Sequence, residues 1–167
     1  DYYELFLTLS EGVVHIINGV EDLLPKGALV FIRKGDKHFF KPNSNDEIGM
    51  VNLAVSEEII ENLFLFLSDS FPAKRLLKDK NPPKTVLGSI DLKRIIAALN
   101  AINAGPIDDY HKSLGYKKLL VSIFCEYFND YPFKEVVLQI PLWLKDFDVK
   151  MKKIENFSAS SDEIIKL

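Results

Sequence analysis

Alternating apolar and polar side chains dominate the first third of the chain. Residues 2–9 alternate between a wholly apolar face and a mixed face, which is the period of a β-strand. Five consecutive apolar residues, Ala28–Ile32, lie between turn residues and predict a short strand buried on both faces. Asn18-Gly19 predicts a hairpin, since both central positions of a type I′ turn need positive φ. Residues 1–55 therefore predict about six short strands in a small barrel or sandwich.

Beyond Ser56 the apolar positions follow the period of amphipathic helices. One helix is predicted to begin at Ser56, a polar linker at residues 78–84, a second helix between Ser89 and Gly105, and a third over 108–130. The second helix carries an apolar stripe that we expect to form a dimer interface: Leu92, Ile95, Ile96, Leu99 and Ile102. The alternative is that residues 56–135 only cover the strands.

The last predicted segment is residues 140–167. Pro141 begins an amphipathic helix that carries Trp143 on its apolar face. Ser160 and Glu163 then form a capping box, which predicts the start of another helix. We expect this helix to open a further domain that continues past Leu167.

Composition narrows the function classes. The 167 residues carry a formal net charge of -3, and the lysines are scattered, so these residues are not expected to bind a nucleic-acid backbone directly. No apolar run is long enough to span a membrane, and we expect no membrane partner. The single cysteine, Cys125, lies in an apolar run and is predicted to be a buried, reduced thiol, which suits a reducing cytosol.

Two histidines are placed by the alternation inside the predicted β-structure. His38 shares its inward face with Phe40 and is either a pocket residue or a hydrogen-bonded core residue. His15 faces Asp22 across the predicted hairpin, and such a pair favours a protonated imidazole; the alternative is contact with a ligand. Asn52 lies in an apolar strand, where its amide needs a hydrogen bond to a neighbour or a ligand.

Three motifs resemble a known family. Residues 27–38, with glycine at 27 and 35 and histidine at 38, resemble the second cupin motif, except that Arg33 replaces its usual proline. Residues 2–5 and the Asn18-Gly19 hairpin look like the first strands of the effector-binding domain of AraC-type regulators. Residues 140–167 are similar to the stretch that enters the helix-turn-helix domain of those regulators, and the nearest branch is the regulator of the chitobiose (chito-oligosaccharide) operon.

The resemblance implies an α+β fold, in which a small cupin-like β-barrel (jelly roll) is followed by an antiparallel helical dimerisation region. It implies a cytoplasmic transcription regulator that forms a homodimer, binds a sugar or sugar phosphate, and contacts DNA only through a C-terminal helix-turn-helix domain. Arg33 is either an anion-binding residue at the barrel mouth or a solvated turn residue. The predicted ligand wall consists of Glu4, Phe6, His15, Arg33, His38, Phe40 and Asn52.

No cofactor and no catalytic residue are predicted. Of the residues present, the cupin motif offers only Glu4 and His38 as metal ligands, and two ligands are too few for a catalytic transition-metal site. Two alternatives remain open at this point: a metal-dependent cupin enzyme, either isomerase or dioxygenase, and a dimerisation module with an empty barrel.

Overall fold

The strands follow the sequence pattern closely. The computed structural model describes residues 2–41, 48–104 and 108–130, so the predicted helices within 140–167 lie outside the described residues. Six strands precede the first helix, and they are β1 (Tyr2–Thr8), β2 (Val13–Ile17), β3 (Val20–Leu24), β4 (Ala28–Ile32), β5 (His38–Lys41) and β6 (Met50–Ser56). The later elements are α1 (Glu57–Leu67), a 3-10 turn (Ser68–Ser70), α2 (Ala73–Lys78), β7 (Lys84–Val86), α3 (Ser89–Asn103) and α4 (Asp109–Tyr127).

The described strands form two antiparallel sheets, in the orders β6-β1-β4-β7 and β3-β2-β5. The α+β class is confirmed, but the closed barrel is not observed, because no strand joins the two sheets edge to edge in the part of the chain that the structure describes. The predicted hairpin is confirmed: His15 pairs with Asp22 in the β2/β3 register. Asn18 and Gly19 have φ values of 51° and 82°, as a type I′ turn requires.

The four-stranded sheet is the middle of three layers. All five residues of β4 are buried, as the apolar run predicted. One face of this sheet packs against the three-stranded sheet, through side chains that include Phe6, Val13 and Val30. The other face packs against the helices, with Leu5 and Phe31 among the buried residues of that core. Because side chains alternate along a strand, β1 and β4 contribute to both cores at once.

The predicted linker at residues 78–84 is wrong. Pro82 and Pro83 are buried, and the carbonyl oxygen of Pro83 accepts a hydrogen bond from the Phe31 amide at 2.9 Å. β7 then pairs with β4 at the edge of the sheet, which is where a strand next to prolines can lie. The two prolines interrupt the helices as predicted, but their rings also fill apolar space against the sheet.

The apolar stripe of α3 faces the core of its own chain. Leu92 and Ile95 are buried, and Ile96, Leu99 and Ile102 pack against the same core cluster. Packing within the chain already satisfies the amphipathic pattern, and the predicted dimer interface on this stripe stays a prediction. The prediction that Cys125 is a buried thiol is wrong, because this residue of α4 is exposed.

The described helices include none that is long and apolar enough to cross a membrane.

Candidate functional site

Six of the seven side chains predicted to form the ligand wall meet in one network between the two sheets. They come from four strands: Glu4 and Phe6 from β1, His15 from β2, His38 and Phe40 from β5, and Asn52 from β6. The strand register explains the grouping, since Phe6 pairs with Asn52 and His15 pairs with Phe40. Arg33 lies apart from this network.

The polar members of the network contact one another in sequence. Asn52 Nδ2 donates to Glu4 Oε2 at 2.7 Å, and that oxygen lies 3.5 Å from His38 Nε2. His38 Nδ1 is in turn 3.2 Å from His15 Nε2. Because an ionised carboxylate only accepts hydrogen bonds, the His38 tautomer that fits these contacts carries its proton on Nε2, which points toward Glu4. His38 Nδ1 then accepts from the Nε2–H of His15. This chain of contacts joins side chains from four strands: β6, β1, β5 and β2.

Aromatic rings enclose the inner histidine. The His15 ring lies edge-on to Phe6, with centroids 5.0 Å apart, and stacks on Phe40 at the same separation. Burial, and after it the neighbouring His38, lower the pKa of His15 to about 4, although Asp22 opposes the shift. The expected protonated His15–Asp22 pair is therefore wrong, although the two residues do face each other. The Asp22 carboxylate instead accepts from Lys84 Nζ at 2.5 Å.

Acidification is expected to destabilise the fold through His15. Between the ordinary histidine pKa of 6.5 and the folded value of about 4, the unfolded chain binds a proton that the folded chain does not, so stability falls as the pH falls through this window. The loss attributable to His15 is at most about 3 kcal/mol. Urea unfolding of the wild type and of His15→Phe, each at pH 7 and at pH 4.5, measures this loss of stability.

The histidine variant isolates this contribution from other groups that titrate in the same range. His15→Phe should lose less stability between the two pH values than the wild type does. His111→Gln removes an exposed histidine and should keep the wild-type pH dependence. Equal pH dependence in His15→Phe and the wild type would show that His15 is not the group responsible.

Arg33 is neither a solvated turn residue nor an open anion site. Its side chain is 8% exposed, and its Nε and Nη2 donate to the two oxygens of Asp36 at 2.9 and 3.1 Å. Its Nη1 donates to the carbonyl oxygens of Leu76 and Asp79. Burial alone would raise the pKa of Asp36, but the hydrogen bonds from Arg33 and Asn18 outweigh it and hold that pKa below its ordinary value. Arg33 thus fastens the β4/β5 loop to the end of α2.

The network opens on a cavity of about 480 Å³ at the β4/β5 loop. Glu4 and His38 form its inner side, and the side chains there are 14% and 16% exposed. Phe6 and His15, each 1% exposed, lie behind them and do not reach the opening. The lining is completed by Tyr2, Ile32, Arg33, Lys34, Gly35, Asp36 and Lys37.

Tyr2 and Lys37 were not among the predicted ligand residues. Tyr2 follows the same alternation as Glu4, which places both on the face of β1 that turns toward the second sheet, so this signal was present in the sequence. Its side chain is 60% exposed. Lys37 lies in a turn between strands, where local pattern does not indicate which way a side chain points.

Within residues 2–41, 48–104 and 108–130, no three His, Cys, Asp or Glu side chains are arranged to hold a metal ion.

Among known proteins, the similarity found is one of structure and not of sequence. No family model and no curated protein matches the sequence. The crystal structure of apo ToxT from Vibrio cholerae is similar, with a TM-score of 0.60 and 13% sequence identity over 99% of this chain. The likeness covers 61% of the ToxT chain, so this chain spans about three fifths of that protein's length. At this identity, the comparison shows that the chain shares the fold of the matching part of ToxT.

Proposed function

We propose that the chain is the ligand-sensing region of an AraC-type transcription regulator, and that it binds a sugar in the cavity beside Glu4 and His38. The observation that carries this proposal is the polar network: a chain of contacts from Asn52 through Glu4 and His38 to His15 links four strands, and Glu4 and His38 line a cavity. Two further findings support it. The sequence motifs resemble those of AraC-type regulators, and ToxT, which has a similar fold, is an AraC-family regulator.

The lining favours a polyhydroxylated ligand. The Glu4 carboxylate can accept hydrogen bonds from hydroxyl groups, and the exposed Tyr2 ring offers an apolar face on which a sugar ring can stack. A sugar phosphate, the other ligand suggested by the sequence, loses its expected partner because the Arg33 guanidinium is engaged by Asp36 and two carbonyls. Lys37 is the cation on the cavity wall that would have to hold a phosphate instead.

The middle sheet offers a route from the cavity to the helices. Glu4 lies on the cavity side of β1, while the adjacent residues Tyr3 and Leu5 are buried in the core shared with the helices. A ligand that binds one position of β1 more tightly than another would shift the equilibrium between the two, and the packing on both sides of the sheet would change with it. Only such a difference in affinity can transmit a signal. In this proposal the signal controls a helix-turn-helix domain, and the two facing sheets are a degenerate cupin jelly roll that works in the cytoplasm without a cofactor.

A thermal-shift panel of sugars and sugar phosphates tests ligand binding. A ligand present at 100 times its Kd should stabilise the folded chain by about 2.7 kcal/mol and raise the Tm of the wild type. Glu4→Gln and His38→Ala should lose most of that rise, because the first replaces an acceptor oxygen of the carboxylate by an NH2 group and the second removes the imidazole that lines the cavity. His111→Ala removes a histidine from the exposed start of α4 and should respond like the wild type.

The regulatory role needs a second measurement. In the full-length regulator, His38→Ala should change the response of a reporter gene to the active sugar. If no member of the panel raises the Tm and His38→Ala leaves the reporter unchanged, the sensor proposal is lost. A ligand whose shift persists undiminished in Glu4→Gln and His38→Ala would place the binding site elsewhere.

A further inference from the structure

The tip of the β2/β3 hairpin is tied to the β4/β5 loop by the side chain of Asn18. Its Oδ1 accepts a hydrogen bond from the Lys37 amide at 2.9 Å, and its Nδ2 donates to Asp36 Oδ1 at 2.8 Å. The backbone amide of Asn18 also donates to the Lys37 carbonyl oxygen at 2.8 Å. The turn itself needs only a residue that tolerates positive φ at this position, and glycine meets that need as well as asparagine does. The side-chain contacts are therefore additional to the turn.

The Asp36 carboxylate receives hydrogen bonds from two directions. Asn18 Nδ2 and Arg33 Nη2 both donate to Oδ1, while Arg33 Nε donates to Oδ2. The Asp36 side chain is 8% exposed, so its hydrogen-bond donors come mainly from the protein. Arg33 fastens the loop to the end of α2. Asn18 supplies the opposite attachment, to the three-stranded sheet that carries His15 and His38.

The end of this loop determines where His38 lies. Lys37 lines the cavity beside Glu4, and His38 follows it directly as the first residue of β5. The His38 ring has its Nε2 3.5 Å from Glu4 Oε2 and its Nδ1 3.2 Å from His15 Nε2. Both distances are near the upper end of the hydrogen-bond range, so a small displacement of the ring would break the contacts. The contacts of Asn18 with Lys37 thus act one residue before His38.

We propose that Asn18 is a positioning residue of the sugar site: its amide holds the β4/β5 loop so that His38 stays in contact with Glu4. The role in ligand binding rests on the proposed function, which places the sugar in this cavity. A loop that is already held in place does not have to be ordered by the ligand, and the smaller ordering cost increases affinity. Asparagine is thereby required at a turn position where glycine would form the same hairpin.

Asn18→Gly isolates the side chain, because glycine accommodates the positive φ of this position and only the amide is lost. NMR compares this variant with the wild-type 167-residue chain in the absence of any ligand. Loss of the bond to Oδ1 should lower the hydrogen-exchange protection of the Lys37 amide about five- to tenfold. In the wild type the two ring nitrogens of His38 should differ widely in ¹⁵N shift, because only Nε2 is protonated. In Asn18→Gly the two shifts should approach each other, since both tautomers become populated.

Glu21→Ala is the matched control. Glu21 also joins the hairpin to β5, through an exposed ion pair with Lys41 at 2.6 Å, but at the end of β5 away from His38. This variant should keep the wild-type spectrum of His38, whose signal is identified by its absence in His38→Ala. Circular dichroism verifies that each variant is folded.

Three results would overturn the positioning role of Asn18. They are an unchanged His38 spectrum in Asn18→Gly, the same spectral change in Glu21→Ala, and loss of folding in Asn18→Gly, which would make Asn18 a residue required for the turn itself. Because the spectra are recorded without ligand, these results concern Asn18 alone, whereas a thermal-shift panel without a binding sugar refutes the sugar site alone.

Discussion

Replacing Arg33 with alanine is expected to lower the free energy of unfolding by about 3–5 kcal/mol, because it leaves the buried Asp36 carboxylate without its counter-charge. The Asp36 carboxylate would lose both donors of the guanidinium, and the carbonyl oxygens of Leu76 and Asp79 would lose theirs. Urea unfolding at neutral pH measures the loss. The same change should loosen the β4/β5 loop, which forms part of the cavity wall beside Glu4.

A neighbouring lysine provides the matched control. Lys34 Nζ lies 3.0 Å from Glu57 Oε1, but the lysine side chain is 50% exposed. An exposed ion pair of this kind contributes about 0–1 kcal/mol, so Lys34→Ala should be mild. Arg33→Lys should fail to rescue the fold, because an ammonium cannot bind both oxygens of Asp36 and two carbonyls in the planar geometry of a guanidinium. If Arg33→Ala costs no more than Lys34→Ala, the buried role assigned to Arg33 is wrong.

The contrast between His38 and Arg33 shows what local pattern could predict. His38 lies in a strand, and a period of two was enough to place it on the inner face with Phe40. The Asn18-Gly19 turn likewise predicts the β2/β3 register that the structure has. Six of the seven wall residues lie in strands, and these six meet in the structure.

Arg33 lies in a turn, and no periodicity governs the direction of a turn side chain. Its acceptors on Leu76 and Asp79 are 43 and 46 residues away in the sequence, so their position depends on how α2 packs. The α3 stripe makes a related point for helices. An amphipathic helix shows that one face will be buried, but it does not show whether the partner is the same chain or another. Pro82 and Pro83 were read as chain breakers, although a proline ring can also fill a core.

Phe31→Ala is expected to destabilise the fold by about 3–5 kcal/mol, the range for removing a buried aromatic ring from a core. Phe31 is 0% exposed at the centre of the core between the middle sheet and the helices. Its ring stacks on Tyr3 of β1 with centroids 5.5 Å apart and meets Phe124 of α4 edge-on at 5.1 Å. Phe64 of α1 also lies against it, at 6.2 Å. Guanidinium unfolding of the variant measures the loss.

Phe39→Ala provides the matched control, because Phe39 also lies in a strand but is 57% exposed, and a surface substitution usually changes stability by no more than about 0.5 kcal/mol. Comparable losses in the two variants would contradict the central position of Phe31. Phe31→Leu should be intermediate, since leucine fills part of the space and leaves a smaller cavity. The ring also joins β1, the strand that carries Glu4, to α1 and α4, because Tyr3, Phe64 and Phe124 all contact it. A change at Phe31 that keeps the fold should therefore weaken whatever coupling exists between the cavity and the helices.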